Sequence, residues 1–302
     1  MLPLSTAPTC RRTPKMKFLQ LKSGARLAFS EYGDPRGAPV FFCHGWPSSL
    51  TMATITDAAA RELGIRIISA DRPGISESTL HPDRKLLDWP SLLRDLADHL
   101  GIEQFHLLGI SGGAPYAYAS AWSMPERVRA IAVVSGAPPI VDLNDQSGLL
   151  RLYRWMLRLH RRSPKFLRLC FRVARPFAAR RIPIQLRPLF LKIFQPIDAD
   201  VLRDSAAFDA CFESARRAWR GSAEGVMIDA QVYAERWGFR LEDINVPVRL
   251  WHGTKDRAFS FRLAEQVAAR LPNCRLRMVD GAGHFSLPIR FMHEILADLI
   301  SV

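Results

Sequence analysis

A serine lies at the centre of the pentapeptide Gly109-Ile110-Ser111-Gly112-Gly113, which matches the pattern G-x-S-x-G. An apolar run precedes it and a helical pattern follows, so Ser111 is predicted to occupy a tight turn between a strand and a helix. Small neighbours allow the backbone strain of such a turn, which exposes the serine Oγ. A serine placed in this way can attack a carbonyl carbon when a base removes its proton. The alternative interpretation is that Ser111 is only a small residue in a close-packed turn.

A histidine and an aspartate follow Ser111 in the order that this chemistry uses. His284 closes the sequence GAGH just after the last predicted strand, where a base would have to lie, although a structural histidine is the alternative. Asp256 in HGTKD would accept a hydrogen bond from the imidazole and stabilise the imidazolium. Asp142 is the rival acid, but the loop of Asp256 directly precedes the helix and strand that lead to His284.

Acyl transfer also needs hydrogen-bond donors for the negative charge that develops on the carbonyl oxygen. Gly112 begins the predicted helix, so its N–H has no intrahelical acceptor and points towards that oxygen. The second donor is expected in the loop after the strand that leads into HGWP, where Trp46 would offer its backbone N–H. The indole of Trp46 could line the substrate pocket or pack in the core, and both can hold.

The candidate site residues follow apolar runs of strand length, and most of these runs are separated by segments with a helical pattern. The predicted strands are residues 39–45, 65–74, 105–111, 128–136, 247–253 and 274–280, preceded by a hairpin of KFLQLK and RLAFSEYG, and the predicted helices include 52–63, 89–100, 261–270 and 289–300. Buried strands that alternate with helices indicate a parallel sheet. We therefore predict an α/β fold with a mostly parallel central sheet and helices on both faces.

Residues 140–239 have a different pattern, with apolar residues at helical spacing, frequent prolines and no convincing strand. Because ligands bind at the carboxyl ends of parallel strands, a helical insertion there is expected to cover the site. We predict a core of residues 16–139 and 240–302, a helical cap (lid) of residues 140–239, and a flexible arm of residues 1–15. Met16 is a candidate for the natural start.

The motifs HGWP, DRPGIS, GISGG, HGTKD and GAGH together resemble the capped branch of the α/β-hydrolase superfamily, which holds esterases, epoxide hydrolases and dehalogenases. The resemblance runs from Lys17 to Val302 in motif order, and the predicted cap carries none of it. It implies the α/β-hydrolase fold. HGWP and DRPG look most like the epoxide hydrolase and dehalogenase branch, whose members use an aspartate where this chain has Ser111. Proline iminopeptidases are also similar, but GISGG lacks the tryptophan usual beside their serine.

A carboxylate nucleophile would form an alkyl-enzyme ester, whereas a serine forms an acyl-enzyme. We therefore expect a serine hydrolase that cleaves a carboxylic ester, or a thioester or lactone, with a catalytic triad of Ser111, His284 and Asp256. The oxyanion hole would be the amides of Trp46 and Gly112. No cofactor is expected. The alternatives are a lyase, a cofactor-free oxygenase or perhydrolase, and a receptor-like binder, none of which an intact triad excludes.

The composition of the chain bears on its cellular location and on the kinds of site it can contain. Hydrophobic residues make up 48% of the chain, and no run approaches the roughly 18 apolar residues of a transmembrane helix. The N-terminal sequence has basic residues without the apolar stretch of a signal peptide. Five dispersed cysteines form no CxxC pair and eight histidines form no HExxH motif, so neither a metal site nor a disulfide framework is indicated. A cytoplasmic location is expected.

The net charge of +13 is concentrated in the predicted cap. Thirteen Lys and Arg residues lie between Arg151 and Lys192, and no Asp or Glu occurs from Gln146 to Ile197. A helical wheel places Arg151, Arg154, Arg158, Arg161 and Arg162 on one side, and Leu149, Leu152, Tyr153, Met156 and Leu159 on the other. The solvated face of a cap helix is the preferred interpretation, and peripheral contact with an anionic membrane is the alternative. A small-molecule ester is the expected partner, and nucleic acid is not.

Overall fold

The computed structural model of the chain describes residues 15–143 and 145–302. The arm predicted over residues 1–15 lies outside this range except for Lys15. In the described residues, eight strands form one sheet. They are β1 (Lys17–Gln20), β2 (Arg26–Gly33), β3 (Ala38–Cys43), β4 (Ile65–Ala70), β5 (Phe105–Ile110), β6 (Val128–Val134), β7 (Val248–Gly253) and β8 (Cys274–Val279).

The sheet is antiparallel at one edge and parallel elsewhere. Its strand order is β1-β2-β4-β3-β5-β6-β7-β8. The hairpin β1–β2 turns at Gly24, whose φ of 81° lies in the left-handed region that glycine adopts without strain, and β2 then pairs antiparallel with β4. The remaining pairs are all parallel. The predicted α/β class with a mostly parallel sheet is confirmed.

Helices connect the strands. The α-helices are α1 (Asp57–Glu62), α2 (Trp89–His99), α3 (Ala114–Ser123), α4 (Arg151–Arg162), α5 (Pro164–Ala178), α6 (Arg187–Leu191), α7 (Pro196–Val201), α8 (Ser205–Phe208), α9 (Ser214–Gly221), α10 (Ala223–Ala234), α11 (Phe261–Arg270), α12 (Ser286–Arg290) and α13 (Met292–Ile300). The helix predicted over 52–63 begins as a 3₁₀ turn, Leu50–Thr56, and the one predicted over 289–300 is divided into α12 and α13.

Side chains that alternate along the strands pack into two hydrophobic clusters, one on each face of the sheet, and two smaller clusters of the described residues lie apart from them. Phe41 packs in the cluster that includes residues of α2, α3 and α11. Its neighbours Val40 and Phe42 pack in the second cluster, with residues of α1 and α13. Both faces of the central strands are therefore covered by helices, as their continuous apolar sequences require.

The described residues between β6 and β7 contribute α4 to α10 and shorter helical turns, apart from an isolated bridge between Leu149 and Phe259. Helix α10 lies against the loop after β4 so closely that a Cβ at Gly225 would overlap the carbonyl of Gly74. None of the helices in the described residues has the length and apolarity that crossing a membrane requires.

Candidate active site

Ser111 lies in the turn between β5 and α3. Its φ of 52° is in the left-handed region that residues with a side chain rarely adopt. The turn is too tight for side chains on its glycines, because a Cβ at Gly113 would overlap the carbonyl of Cys43 and one at Gly109 would lie 3.0 Å from the Cβ of Ala117. The sequence folds in this way because a buried strand, a small-residue turn and a helix follow one another directly.

A chain of hydrogen bonds starts at Ser111. The Oγ lies 3.0 Å from Nε2 of His284, and Nδ1 of the same ring lies 2.8 Å from Oδ2 of Asp256. The other oxygen of Asp256 accepts the backbone N–H groups of Ala258 at 2.7 Å and Phe259 at 3.1 Å. The structure thus brings these three predicted residues together from the ends of β5, β7 and β8.

The rival acid, Asp142, is exposed at the end of a 3₁₀ turn after β6. The carboxylate within hydrogen-bond distance of the His284 ring is that of Asp256, which is buried. One carboxylate oxygen of Asp256 contacts the His284 ring, and the other accepts the two backbone N–H groups. This arrangement fixes the orientation of the imidazole.

Charge and burial set the protonation of this group of side chains. Burial alone would raise the pKa of Asp256, but the ring of His284 and its hydrogen bond outweigh burial and hold the pKa below its ordinary value. Burial alone would lower the pKa of His284, but Asp256 and, more weakly, Asp198 raise it above 6.5. The aspartate is therefore ionised at neutral pH, and the imidazolium is stabilised when it forms.

Two further histidines follow strands in HG pairs, and both are buried. The ring of His44 contacts the carbonyl of Gly45 at 3.0 Å, and that of His252 contacts the carbonyl of Phe259 at 2.9 Å. Burial lowers the pKa of both imidazoles. Both rings contact loop carbonyls, which is the role of structural residues.

The predicted oxyanion-hole residues Trp46 and Gly112 lie against one another. A Cβ at Gly112 would lie only 3.1 Å from the backbone nitrogen of Trp46, so this approach needs a glycine. The hydroxyl of Tyr233 in α10 donates to the carbonyl of Gly112 at 2.8 Å, and the indole of Trp46 donates to the carbonyl of Val226 at 2.9 Å. Helix α10 therefore contacts both residues of the predicted oxyanion hole, Gly112 at its carbonyl and Trp46 at its indole.

A buried arginine supports the loop that carries Trp46. Arg72 donates to the carbonyls of His44 and Gly45, each at 2.7 Å. It also donates to Asp229 of α10, at 2.6 Å for the shortest contact. Arg72 of the DRPG motif therefore holds this loop, and Asp229 holds the arginine.

Asp229 is fully buried with three donors around it. Besides Arg72, Arg84 and the hydroxyl of Tyr116 each donate to Oδ1 at 2.6 Å. Burial alone would raise the pKa of Asp229, but the two guanidinium groups outweigh burial and lower it below the ordinary value. The ionised carboxylate thus links α10 to the loop after β4, to the segment before α2, and to α3.

A second acid between β6 and β7 holds the loop of His284. Asp198 of α7 accepts the backbone N–H groups of His284 at 3.2 Å, Phe285 at 3.0 Å and Ser286 at 2.8 Å. A Cβ at Gly283 would lie 2.5 Å from the same carboxylate, which explains the glycine before the histidine in GAGH. Asp198 therefore positions the ring through its backbone.

A pocket of about 620 Å³ of empty space, its open part included, lies over Ser111 and Gly112. Its walls include Trp46, Tyr153, Met156, Leu157, Leu167 and Phe259, and none of its described lining residues is Asp, Glu, Lys or Arg. Helices α4, α5 and α10 supply most of one side. Elsewhere in the described chain, no three His, Cys, Asp or Glu side chains are grouped so that they could hold a metal ion.

The family is shown by a model described as alpha/beta hydrolase fold, which matches residues 38–290. This chain belongs to that family. Among curated proteins, bifunctional epoxide hydrolase 2 of Sus scrofa is 31% identical over 118 residues, which are 38% of this chain and 21% of the relative. The match therefore spans about a fifth of the relative's length.

Solved structures agree with the family assignment. A bromoperoxidase from Bacillus anthracis superposes with a TM-score of 0.72 at 18% identity, and the match covers 95% of the present chain and 100% of the bromoperoxidase chain. A thermophilic esterase from Thermogutta terrifontis superposes with a TM-score of 0.67 at 21% identity, covering 95% and 98%. At these identities the likeness establishes the α/β-hydrolase fold alone.

Sequence reasoning missed three side chains that hold the site of this α/β hydrolase. Tyr233, Asp229 and Asp198 all lie between β6 and β7, far along the chain from the loops that they contact. The available signals were an acid inside the apolar helix of Asp229 and the first acid after the basic stretch, Asp198. Neither signal indicates which loop the acid contacts.

We expect Asp198→Asn to lower the pKa of the His284 imidazole, which lies above 6.5 in the parent chain. Removing a negative charge disfavours the imidazolium, and the amide nitrogen of asparagine would face a backbone N–H. The measurement is an NMR titration of ¹³C-labelled histidine rings. Asp200→Asn is the control, because Asp200 lies on the same helix and pairs at the surface with Arg290. Equal titration of His284 in both variants would contradict a positioning role for Asp198.

Proposed function

We propose that this chain is a serine hydrolase that cleaves a carboxylic ester through an acyl-enzyme. The observation that carries the proposal is the hydrogen-bonded series Ser111–His284–Asp256, with distances of 3.0 and 2.8 Å, at the base of an apolar pocket. The left-handed turn at Ser111 supports it, because it points Oγ away from the backbone of the sheet and into the pocket.

Acylation would begin with a proton transfer. His284 Nε2 takes the proton of Ser111 Oγ while the oxygen bonds to the ester carbonyl carbon, and Asp256 stabilises the imidazolium. The carbonyl oxygen becomes an oxyanion that the N–H groups of Trp46 and Gly112 bind. The tetrahedral intermediate then expels the alkoxide, which takes the proton from His284 and leaves as an alcohol.

Deacylation would repeat these steps with water. His284 removes a proton from a water molecule, whose oxygen attacks the acyl carbon of the ester on Ser111. Collapse of the second tetrahedral intermediate releases the carboxylic acid, and the proton returns to Ser111 Oγ. Both half-reactions require neutral His284, so the rate should fall as the pH drops through its raised pKa.

The pocket supports an uncharged, apolar acyl group as the substrate, because its described lining is mostly apolar and includes no Asp, Glu, Lys or Arg. Thioesters and lactones present the same carbonyl chemistry. The name of the epoxide hydrolase relative points to a different reaction, but attack by Ser111 on an epoxide would give an ether. Water at neutral pH does not hydrolyse an alkyl ether. An epoxide would therefore alkylate and inactivate Ser111 and would not be a substrate.

We further propose that α4 to α10 act as the cap predicted over residues 140–239. The pocket-lining residues Tyr153, Leu157 and Leu167 on this segment support the proposal, as do the contacts of Asp198 and Asp229 with core loops.

The dispersed cysteines favour a cytoplasmic location. A lyase, an oxygenase or a perhydrolase would use the same residues without releasing a carboxylic acid by hydrolysis, and a receptor-like protein would bind without turnover.

Ser111→Ala should abolish turnover of p-nitrophenyl esters, with a loss in kcat of about 10⁵–10⁶ as in other serine hydrolases. Ser135→Ala is a matched control, since Ser135 is also buried and at positive φ but follows β6. Turnover and acid release are measured across a series of acyl chain lengths. Ester hydrolysis by Ser111→Ala within tenfold of the parent rate would exclude the mechanism.

Asp256→Asn should reduce kcat by about 10⁴, because an asparagine favours the wrong imidazole tautomer. Asp142→Asn should leave kcat within a few fold, since Asp142 is exposed and the His284 ring contacts Asp256 instead. Steady-state kinetics on one short-chain ester measure both. The reverse ranking would assign the acid to the loop after β6.

A further inference from the structure

The described chain exposes large apolar side chains mainly in one region. Of seventeen exposed large hydrophobic residues, eleven lie between Leu150 and Ile193. This same region contains the thirteen basic residues and no acid. Exposed apolar and cationic side chains are therefore concentrated together on the surface, and not distributed over it.

Helix α4 has two different faces. Tyr153, Met156 and Leu157 line the pocket. On the opposite face, Trp155 is 48% exposed, and Arg151 and Arg158 lie one turn before and after it. Leu152, which the helical wheel groups with the apolar residues Tyr153 and Met156, is 54% exposed. The surplus of apolar residues on α4 thus faces away from the pocket.

Helix α5 repeats this arrangement. Leu167 and Phe171 are buried, whereas Leu169 is 52% exposed. Lys165 and Arg172, both exposed, lie four residues before and three residues after Leu169, on the same side of the helix. Only Ser163 separates α4 from α5, so the two helices form a hairpin. Its outer hairpin face is defined here by Arg151, Trp155, Arg158, Lys165, Leu169 and Arg172.

The charge of this face is largely unneutralised. Glu224 lies 3.4 Å from Arg168 and 4.0 Å from Arg172. Within the described residues, no ion pair involves Arg151, Arg158 or Lys165. These cations gain little from one another, and they oppose a second copy of the same face, since a symmetric dimer would place basic residues against basic residues.

We propose that the outer hairpin face docks on an anionic lipid surface. Tryptophan and leucine insert at the boundary of headgroups and acyl chains, and arginine and lysine around them pair with lipid phosphates. The pocket wall and the lipid contact would then lie on opposite faces of the same helices, about 10–12 Å apart. The docking stands independently of the proposed reaction, because it uses no residue of the site.

The test is co-sedimentation of the full chain with vesicles of phosphatidylcholine alone or with about one third phosphatidylglycerol. At low salt the chain should bind the anionic vesicles and not the neutral ones, and binding should fall steeply by about 0.5 M NaCl as screening shortens the range of the attraction. Replacing Arg151, Arg158 and Lys165 together by glutamine should weaken binding about 100-fold, because each basic residue near such a surface contributes about fivefold. Trp155→Ser should weaken it about tenfold.

Matched controls separate this face from the net charge of the chain. Replacing the exposed Arg36, Arg94 and Arg262 by glutamine removes the same charge elsewhere, and Phe18→Ser removes an aromatic that is 42% exposed. Both controls should bind like the parent, and thermal unfolding checks that every variant is folded. Equal binding to neutral and anionic vesicles, no binding at low salt, or equal losses in the controls would overturn the proposal. So would a dimer in light scattering that Trp155→Ser dissociates, because the face would then bind a second copy.

Discussion

The site depends on one backbone constraint, the left-handed conformation of Ser111 at the end of β5. A residue with a side chain pays of order 1–3 kcal/mol for such a conformation, so the packing around it must enforce it. Close contacts of Gly113 with the carbonyl of Cys43 and of Gly109 with Ala117 provide that packing. Once the turn is fixed, Ser111 lies at the pocket, and Gly112, whose N–H is the proposed oxyanion donor, follows it directly.

Two buried carboxylates then hold the loops around this turn. Asp229 fixes Arg72 under the loop of Trp46, and Asp198 binds three backbone N–H groups around His284. Leaving a buried charge without its partner destabilises a fold by about 3–5 kcal/mol. Moving α7 or α10 away from the core would leave Asp198 or Asp229 without its partners, so these contacts hold the two helices in place. The hairpin of α4 and α5 carries neither acid and bears the exposed apolar residues. The region between β6 and β7 thus has a part anchored to the core and a part that faces outward.

Much of this arrangement follows from local sequence. Strand and helix patterns predicted the parallel sheet, and turn motifs placed Ser111, His284 and Asp256 at strand ends that the fold brings together. Asp198 and Asp229 could not be predicted, because their partners lie in distant loops and no local spacing identifies them. The exposure of Leu152 and Trp155 could not be predicted either, since a helical wheel shows that a face is apolar and not what covers it.

The central claim is that Ser111 carries the acyl group during turnover, and a trapped intermediate tests it most directly. The chain is mixed with a p-nitrophenyl ester, quenched in acid within the first turnovers, digested and analysed by mass spectrometry. We predict a mass increase of one acyl group on the peptide that contains Ser111, formed together with a burst of p-nitrophenol when deacylation is the slower step. An adduct on another residue, or a full burst with an unmodified Ser111 peptide, would contradict the account.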